Sequence, residues 1–323
     1  DVYKRQDYHK YPKLIPIGLA ITVALLIIVL IVGEVTNGSL RWIDFGFFRL
    51  QPSELAKLAF AVYLASWLSR QKSVLNKFDS KLKNYLLSSM LPFLVLLFVT
   101  SLLILLGRDL ATTAIVGAIA LVIYFVSGTD LLHTFGSFLI LVTMSVVGVA
   151  AALVAPYRVD RISTYISFLR TGVVPDPLGT GYQLRQILIA VGSGGLFGVG
   201  FGESRQKFFY LGFSSFTDTI FAIFAEEFGL LGSILFVSVF LIFIFRGLKI
   251  ASTAKDTLGS LLALGITFWI GLQAFLNIAA NVGLIPLTGI PLPFISYGGS
   301  SMVVILTGVG ILLNVSKYSR IDG

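Results

Sequence analysis

In a chain of 323 residues, hydrophobic side chains make up 56% and charged ones only 12%, against roughly 25% charged in an ordinary soluble domain. A water-soluble globule is thereby excluded, and the expected class is an all-α polytopic membrane protein, a single integral membrane domain over residues 1–323. Cysteine is absent and histidine occurs only at His9 and His133, which argues against disulfides, thiolate or imidazole metal centres and a Ser-His-Asp triad; the net charge of +8 lies in loops between apolar runs and reads as topology, with no nucleic-acid partner implied.

Spans of about 20 apolar residues are the unit to count. They are expected near 14–33, 55–69, 85–106, 110–127, 131–155, 219–245, 258–285 and 298–316. The chain opens on Asp1-Val2-Tyr3-Lys4-Arg5-Gln6-Asp7 without an initiator Met, and its first span is too long for the apolar core of a signal peptide. An upstream truncation is the expectation.

Orientation follows from the basic residues. A cytoplasmic N-terminus puts Lys4, Arg5, Lys10, Lys13, Arg70, Lys72, Lys77, Lys81, Lys83, Arg246, Lys249, Lys255, Lys317 and Arg320 inside, as the positive-inside tendency favours. The C-terminus is then inside as well. The outer face receives the 34–54 loop, Gly107-Arg108-Asp109, the long 156–218 segment and the 286–297 loop.

Four outward segments carry more chemistry than a connector requires. The first contains Arg41 and then Gln51-Pro52-Ser53-Glu54-Leu55-Ala56-Lys57, a helix start with Pro and an acid in its first turn. Glu54 and Lys57 share one helical face; they form an i,i+3 ion pair, or Lys57 offers its charge to a phosphate. The second is the charged turn Gly107-Arg108-Asp109, where Arg108 and Asp109 either pair structurally or face a substrate. The third runs through Asp176-Pro177-Leu178-Gly179 and Gly192-Ser193-Gly194-Gly195 to Arg205 and Lys207; its glycines lack the strand a dinucleotide loop needs, and 183–191 reads as an amphipathic interfacial stretch. The fourth is Pro291-Leu292-Pro293-Phe294-Ile295-Ser296-Tyr297-Gly298-Gly299-Ser300, an irregular turn that must line a cavity or protein interior.

Between the third and fourth stands Asp218, in Thr217-Asp218-Thr219-Ile220-Phe221-Ala222, with Glu226 and Glu227 shortly after. A carboxylate at the mouth of an apolar span is a functional hypothesis by default. It can also simply cap the helix that follows.

Together these segments resemble the SEDS family of FtsW, RodA and SpoVE, with the motifs in family order across essentially the whole chain. Members have ten membrane helices, so the sequence resembles one that begins at the third. The resemblance implies a peptidoglycan glycosyltransferase that polymerises lipid II into β-1,4-linked glycan on the outer face of the bacterial cytoplasmic membrane, for division or elongation. It also implies a class B penicillin-binding transpeptidase and other divisome or elongasome membrane proteins as partners. Asp218 matches the catalytic aspartate; Lys57, Asp109 and the turn from Ser296 to Ser300 match other functional positions. Gly202-Glu203-Ser204-Arg205-Gln206-Lys207-Phe208 leans toward FtsW. Gly212, Ser214 and Phe216 depart from the family's Pro, Glu and His, and Gly107-Arg108 replaces a Gln-Pro pair.

The implied chemistry needs a base and a stabilised diphosphate. Asp218 can accept the proton of an attacking sugar hydroxyl; Arg41, Lys57, Arg205 and Lys207 are the candidate cations, and a divalent cation, magnesium or manganese, could assist. The competing classes are a lipid-linked precursor flippase and a non-catalytic scaffold of the cell-wall complex.

Overall fold

A computed structural model describes residues 8–36, 39–46, 48–71, 90–128, 131–154 and 156–319. The chain divides into two compact units: residues 1–148, 244–269 and 299–323 form the first, and 149–243 with 270–298 the second.

In the first unit, α1 (Tyr11–Val32) leads into a three-stranded antiparallel sheet, β1 (Glu34–Thr36), β2 (Ser39–Asp44) and β3 (Arg49–Leu50), in the order β1-β2-β3. Reading the 34–54 stretch as an outer loop does not anticipate this sheet. Its β2–β3 turn is closed by Asp44, which accepts from Gly46 N–H at 2.6 Å and from Arg49 Nε at 2.9 Å. Those two bonds, the backbone one first, hold its carboxyl below the usual carboxylate range. Helix α2 (Pro52–Gln71) starts as expected, with Pro at its first position, Glu54 in the first turn and Arg70 in the last. Helices α3 (Leu91–Leu106) and α4 (Leu110–Ser127) follow, then α5 (Leu131–Val154), which runs out of the unit. Phe60, Leu64, Phe93, Ile115, Ile119, Ile123, Tyr124 and Trp269 are buried almost completely and make the core. The His133 side chain and residues 72–89, with Lys72, Lys77, Lys81 and Lys83, lie outside the described residues.

In the second unit, α6 (Pro156–Thr171) and α7 (Tyr182–Ser193) fall in the long 156–218 segment. α7 covers the stretch expected to be amphipathic, and its buried face, Ile187 and Ala190, meets Leu211, Ala222 and Ile223. A short α8 (Arg205–Phe209) and a 3-10 turn (Gly212–Phe216) lead to α9 (Ile220–Thr253) and α10 (Thr257–Asn281), which both cross between the units; α11 (Gly299–Lys317) belongs to the first.

Helix α9 is not one rod. At Gly229, φ is 66° and ψ −166°, and the helix breaks. A break inside an apolar helix leaves backbone groups that lipid cannot satisfy. Here the glycine-rich segment satisfies them: Leu230 and Leu231 N–H donate to the carbonyls of Gly195 and Leu196 at 2.9 and 3.1 Å, while Val199 and Gly200 N–H donate to those of Glu226 and Glu227 at 2.9 and 3.1 Å. The close approach explains the glycines at Gly194 and Gly198. A Cβ on Gly198, whose φ is +81°, would meet the Glu227 carbonyl oxygen at 2.0 Å, whereas Gly202, at φ +83°, has open space. Gly198→Ala should therefore lower stability by about 2–4 kcal/mol, and Gly202→Ala by about 1 kcal/mol, the backbone term alone. Thermal unfolding of the two purified variants checks this; equal losses would contradict the docking role of Gly198.

Among the described residues, five helices are long and apolar enough to cross a membrane: Ile15–Val32, Leu110–Ser127, Ile220–Thr253, Thr257–Asn281 and Gly299–Lys317. Leu91–Leu106 and Thr134–Val146 are shorter apolar helices. α2, which covers the expected second span, is made less apolar by Glu54, Lys57 and Arg70. The architecture is that of a multi-pass helical membrane protein.

Candidate functional site

The first unit gathers Arg41, Gln51, Ser53, Glu54, Lys57 and Asp109. Asp109 is 4% exposed and caps α4: its Oδ1 accepts from Thr112 N–H at 3.1 Å and its Oδ2 from the Thr112 hydroxyl at 2.9 Å. The same Oδ2 receives Ser53 Oγ and Gln51 Nε2, both at 3.4 Å, and lies 3.8 Å from Arg41 Nε. Arg41 also donates from Nη2 to the carbonyl of Arg108. Asp109 thus turns inward and ties the sheet, the start of α2 and the α3–α4 turn together, beside a small cavity lined by Leu26, Leu40, Arg41, Ser53, Ile104 and Asp109.

Lys57 and Glu54 are each 1% exposed, with Nζ 2.8 Å from Oε1. Nζ also stands 5.5 Å from the centre of the Trp269 ring. The ion pair, one of the two readings of this pair, is thus present. Glu54 Oε2 is buried and has no hydrogen-bond partner among the described residues.

The second unit builds the surroundings of Asp218. Its backbone carbonyl accepts from Nδ2 of Asn277 and from Nδ2 of Asn281, both at 2.8 Å. Asn277 Nδ2 also reaches the Ile290 carbonyl at 2.8 Å, and Gln273 Nε2 reaches that of Pro291 at 3.0 Å. These amides stand four residues apart on α10, so they share one face and clamp the Asp218 loop to the proline-rich turn. That turn closes from the other side: Ser296 Oγ donates to the Thr217 carbonyl at 2.5 Å, and Tyr297 N–H donates to the Phe216 carbonyl at 2.8 Å. Sequence reasoning did not single out Gln273, Asn277 and Asn281. Their signal was present, as three amides at helical spacing in an apolar run.

With its carbonyl held by two amides, the Asp218 carboxylate is left with a single bond among the described residues. Thr217 Oγ1 donates to Oδ1 at 3.0 Å. In the first turn of α9 the N–H groups of Ala222 and Ile223 both turn to the Thr219 carbonyl, at 3.1 and 3.4 Å. The capping role that an acid before a helix often plays is not the one Asp218 performs. Its side chain is half-buried and held in place by its backbone.

Arg205 and Lys207 lie in the same unit. The Arg205 side chain is exposed, while its N–H donates to Glu226 Oε1 at 3.2 Å. Glu226, 2% exposed, also accepts from Ser204 Oγ at 2.5 Å and Gln206 N–H at 3.4 Å, and so anchors the start of α8 to α9. Lys207 Nζ stands 3.9 Å from Glu227 Oε1 and lies 5.4 and 6.0 Å from the ring centres of Phe208 and Phe216. Phe216 thus adds a ring to the lysine's surroundings. Ser300, in the first unit, is buried with its hydroxyl unpartnered among the described residues.

Among the described residues no three acidic or histidine side chains gather as a metal-binding group. Asp218, with one hydroxyl beside it, is too sparse a donor set for a cation that takes six or more oxygens. The described residues do not fit a protein-built divalent site.

A family model for cell cycle proteins of the FtsW, RodA and SpoVE type matches residues 2–321. The chain belongs to this family. It is 43% identical over 317 residues to the stage V sporulation protein E of Bacillus subtilis, covering 97% of this chain and 82% of that protein. To a probable peptidoglycan glycosyltransferase FtsW of Nitrosomonas europaea it is 38% identical over 308 residues, covering 94% and 75%. Among solved structures, the rod shape determining protein RodA of Thermus thermophilus superposes with a TM-score of 0.67 at 25% identity, covering 99% of this chain and 83% of that one. A chain from a peptidoglycan synthase complex gives a TM-score of 0.75 at 24% identity, covering 99% and 86%. The SEDS-type helical fold expected from the motifs is therefore the fold observed.

Proposed function

We propose that this protein is a peptidoglycan glycosyltransferase that polymerises lipid II, with Asp218 as general base. The observation that carries the reading is the state of Asp218: its backbone is clamped by Asn277 and Asn281, yet its carboxylate receives no backbone N–H among the described residues. A carboxylate positioned in this way, and not consumed by capping, is free to take a proton. Relatives 36% and 38% identical to this chain bear the name probable peptidoglycan glycosyltransferase, which supplies the substrate class.

The hydroxyl at C4 of the terminal N-acetylglucosamine of lipid II attacks C1 of N-acetylmuramic acid at the reducing end of the growing strand. Its proton passes to Asp218 as the new C–O bond forms, and the bond from C1 to the diphosphate breaks with inversion. The electron pair leaves with undecaprenyl diphosphate. Base assistance of this kind contributes about 10² to 10⁴ in rate. Arg205 and Lys207, in the same unit as Asp218, are assigned the leaving diphosphate: Arg205 is exposed and Lys207, 3.9 Å from Glu227 Oε1, is partly so, whereas Lys57 is buried against Glu54 at 2.8 Å.

The active face is extracytoplasmic, both termini are cytoplasmic, and the working partner is a class B transpeptidase, a reading supported by the likeness to a chain of a complex that coordinates polymerization and crosslinking. With no native cysteine, single cysteines report the orientation. A cysteine at exposed Ser163 should react with an impermeant maleimide on intact cells, and one at exposed Ser252 only after permeabilisation; the reverse pattern would overturn the orientation.

Lipid II supplied to proteoliposomes separates the enzyme from a flippase. The enzyme yields polymer without net transfer of lipid II between leaflets. Transfer without polymer would replace the proposed reading with transport.

A further inference from the structure

Two aromatic rings stand bare on the two loops that are bonded together around Asp218. Phe213 is 71% exposed and Tyr297 73%. Their ring centres are 6.2 Å apart with planes at 80°, so one presents a face where the other presents an edge. Neither sits on a loose tether. Phe213 belongs to the 3-10 turn that runs into Thr217 and Asp218, a turn held by Ser214 Oγ to the Leu211 carbonyl and Ser215 Oγ to the Gly212 carbonyl, both at 2.6 Å. Tyr297 is fixed through its own N–H to the Phe216 carbonyl, and its neighbour Ser296 bonds the carbonyl of Thr217.

In a membrane protein the ordinary reading of exposed rings is contact with lipid. The company of these two opposes that reading. The turn that carries Phe213 contains Ser214 and Ser215 and is followed two residues on by the Asp218 carboxylate, and a carboxylate costs kilocalories at hydrocarbon depth. The rings therefore stand at a water-facing mouth, where exposed apolar surface held rigid signals a ligand.

We propose that Phe213 and Tyr297 form a stacking platform for the acceptor sugar, the terminal N-acetylglucosamine of lipid II whose 4-hydroxyl Asp218 deprotonates. This rests on the function proposed above and names the subsite that orients its acceptor. A β-linked pyranose with equatorial substituents has axial C–H groups on its faces, which suit the electron-rich face of an aromatic ring. Its hydroxyls project around the rim, toward the polar groups of the same loop. The diphosphate cations cannot provide this positioning for the acceptor, because they hold the donor's leaving group. A platform that fixes the ring before reaction lowers the entropic cost of aligning the hydroxyl with C1.

The test is the initial rate of glycan formation by the full chain in proteoliposomes as lipid II is varied, for Phe213 and Tyr297 each replaced by Ala, Leu and Trp. Ala and Leu should both raise KM about three- to tenfold, while Trp should stay near wild type. Leucine keeps contact with lipid but has no ring face, so Leu variants that match wild type would turn the pair into a membrane anchor and overturn the proposal. A second readout needs no turnover: in Asp218→Asn protein, a soluble disaccharide of N-acetylglucosamine β-1,4-linked to N-acetylmuramic acid should bind measurably more weakly once Phe213 or Tyr297 is Ala. Unchanged binding in both variants would also overturn it. A wild-type protein that makes no polymer would instead defeat the proposed function itself, whereas polymerisation by wild type with unaltered KM in the Ala variants defeats only the platform.

Discussion

Asp218→Asn is expected to reduce glycan polymerisation by at least about 10²-fold, the lower end of what general-base help contributes, while leaving the unfolding temperature of the purified protein close to wild type. The asymmetry follows from how the residue is held. Its backbone carbonyl, which Asn277 and Asn281 grip, survives the substitution, and its carboxylate contributes only a Thr217 hydroxyl bond that an amide oxygen can also accept. Nothing structural is lost with the charge. The converse pair of substitutions, Asn277→Leu with Asn281→Leu, should lower both stability and rate, because it leaves the Asp218 carbonyl without its two donors. Near-wild-type turnover by Asp218→Asn, read from the ladder of glycan products, would remove the base role.

Replacing one member of the Glu54–Lys57 pair should be the most destabilising change in the first unit. With both residues 1% exposed, Glu54→Leu takes the paired carboxylate from a buried ammonium and Lys57→Met the paired ammonium from a buried carboxylate; each is expected to cost about 3–5 kcal/mol. The double variant, apolar on both sides, should recover most of that loss, since a buried pair is worth little more than well-packed apolar groups. Denaturant unfolding of the three variants in detergent measures it. Because Lys57 is assigned to the fold, polymer formation should return with stability in the double variant. Recovery of stability without polymer would place Lys57 at the phosphate instead.

How far the sequence could be read follows the physics of each signal. Helices were legible because long apolar runs have few alternatives in lipid, and the start of α2 was legible because Pro52 and Glu54 mark a helix N-terminus by mechanism. The sheet at Glu34–Thr36, Ser39–Asp44 and Arg49–Leu50 was not, since strands this short carry almost no alternation and depend on pairing. The break at Gly229 was hidden for a related reason. Its backbone groups are satisfied by Gly195, Leu196, Val199 and Gly200, some thirty residues away, and no local propensity records such a partner.

The site divides in the same way. Asp218 was visible as a charge out of place, and Ser296 as part of a turn too rigid for a connector. What each does was not visible. That the Asp218 carboxylate escapes capping depends on where the N–H groups of Ala222 and Ile223 turn, and that Lys57 is neutralised depends on burial. Glu226 shows the limit most clearly, for a carboxylate beside Glu227 in an apolar run looks functional, yet three donors from Ser204, Arg205 and Gln206 commit it to holding α8 in place.

On the proposed function, this chain itself carries the site that forms glycosidic bonds, with Asp218 as the base. Purified protein in proteoliposomes with lipid II, resolved by gel for glycan chain length, tests it most directly. A ladder of products that a muramidase degrades, made by wild type and absent from Asp218→Asn, is the predicted result; unreacted lipid II from wild-type protein, both alone and with its cognate transpeptidase, would contradict it.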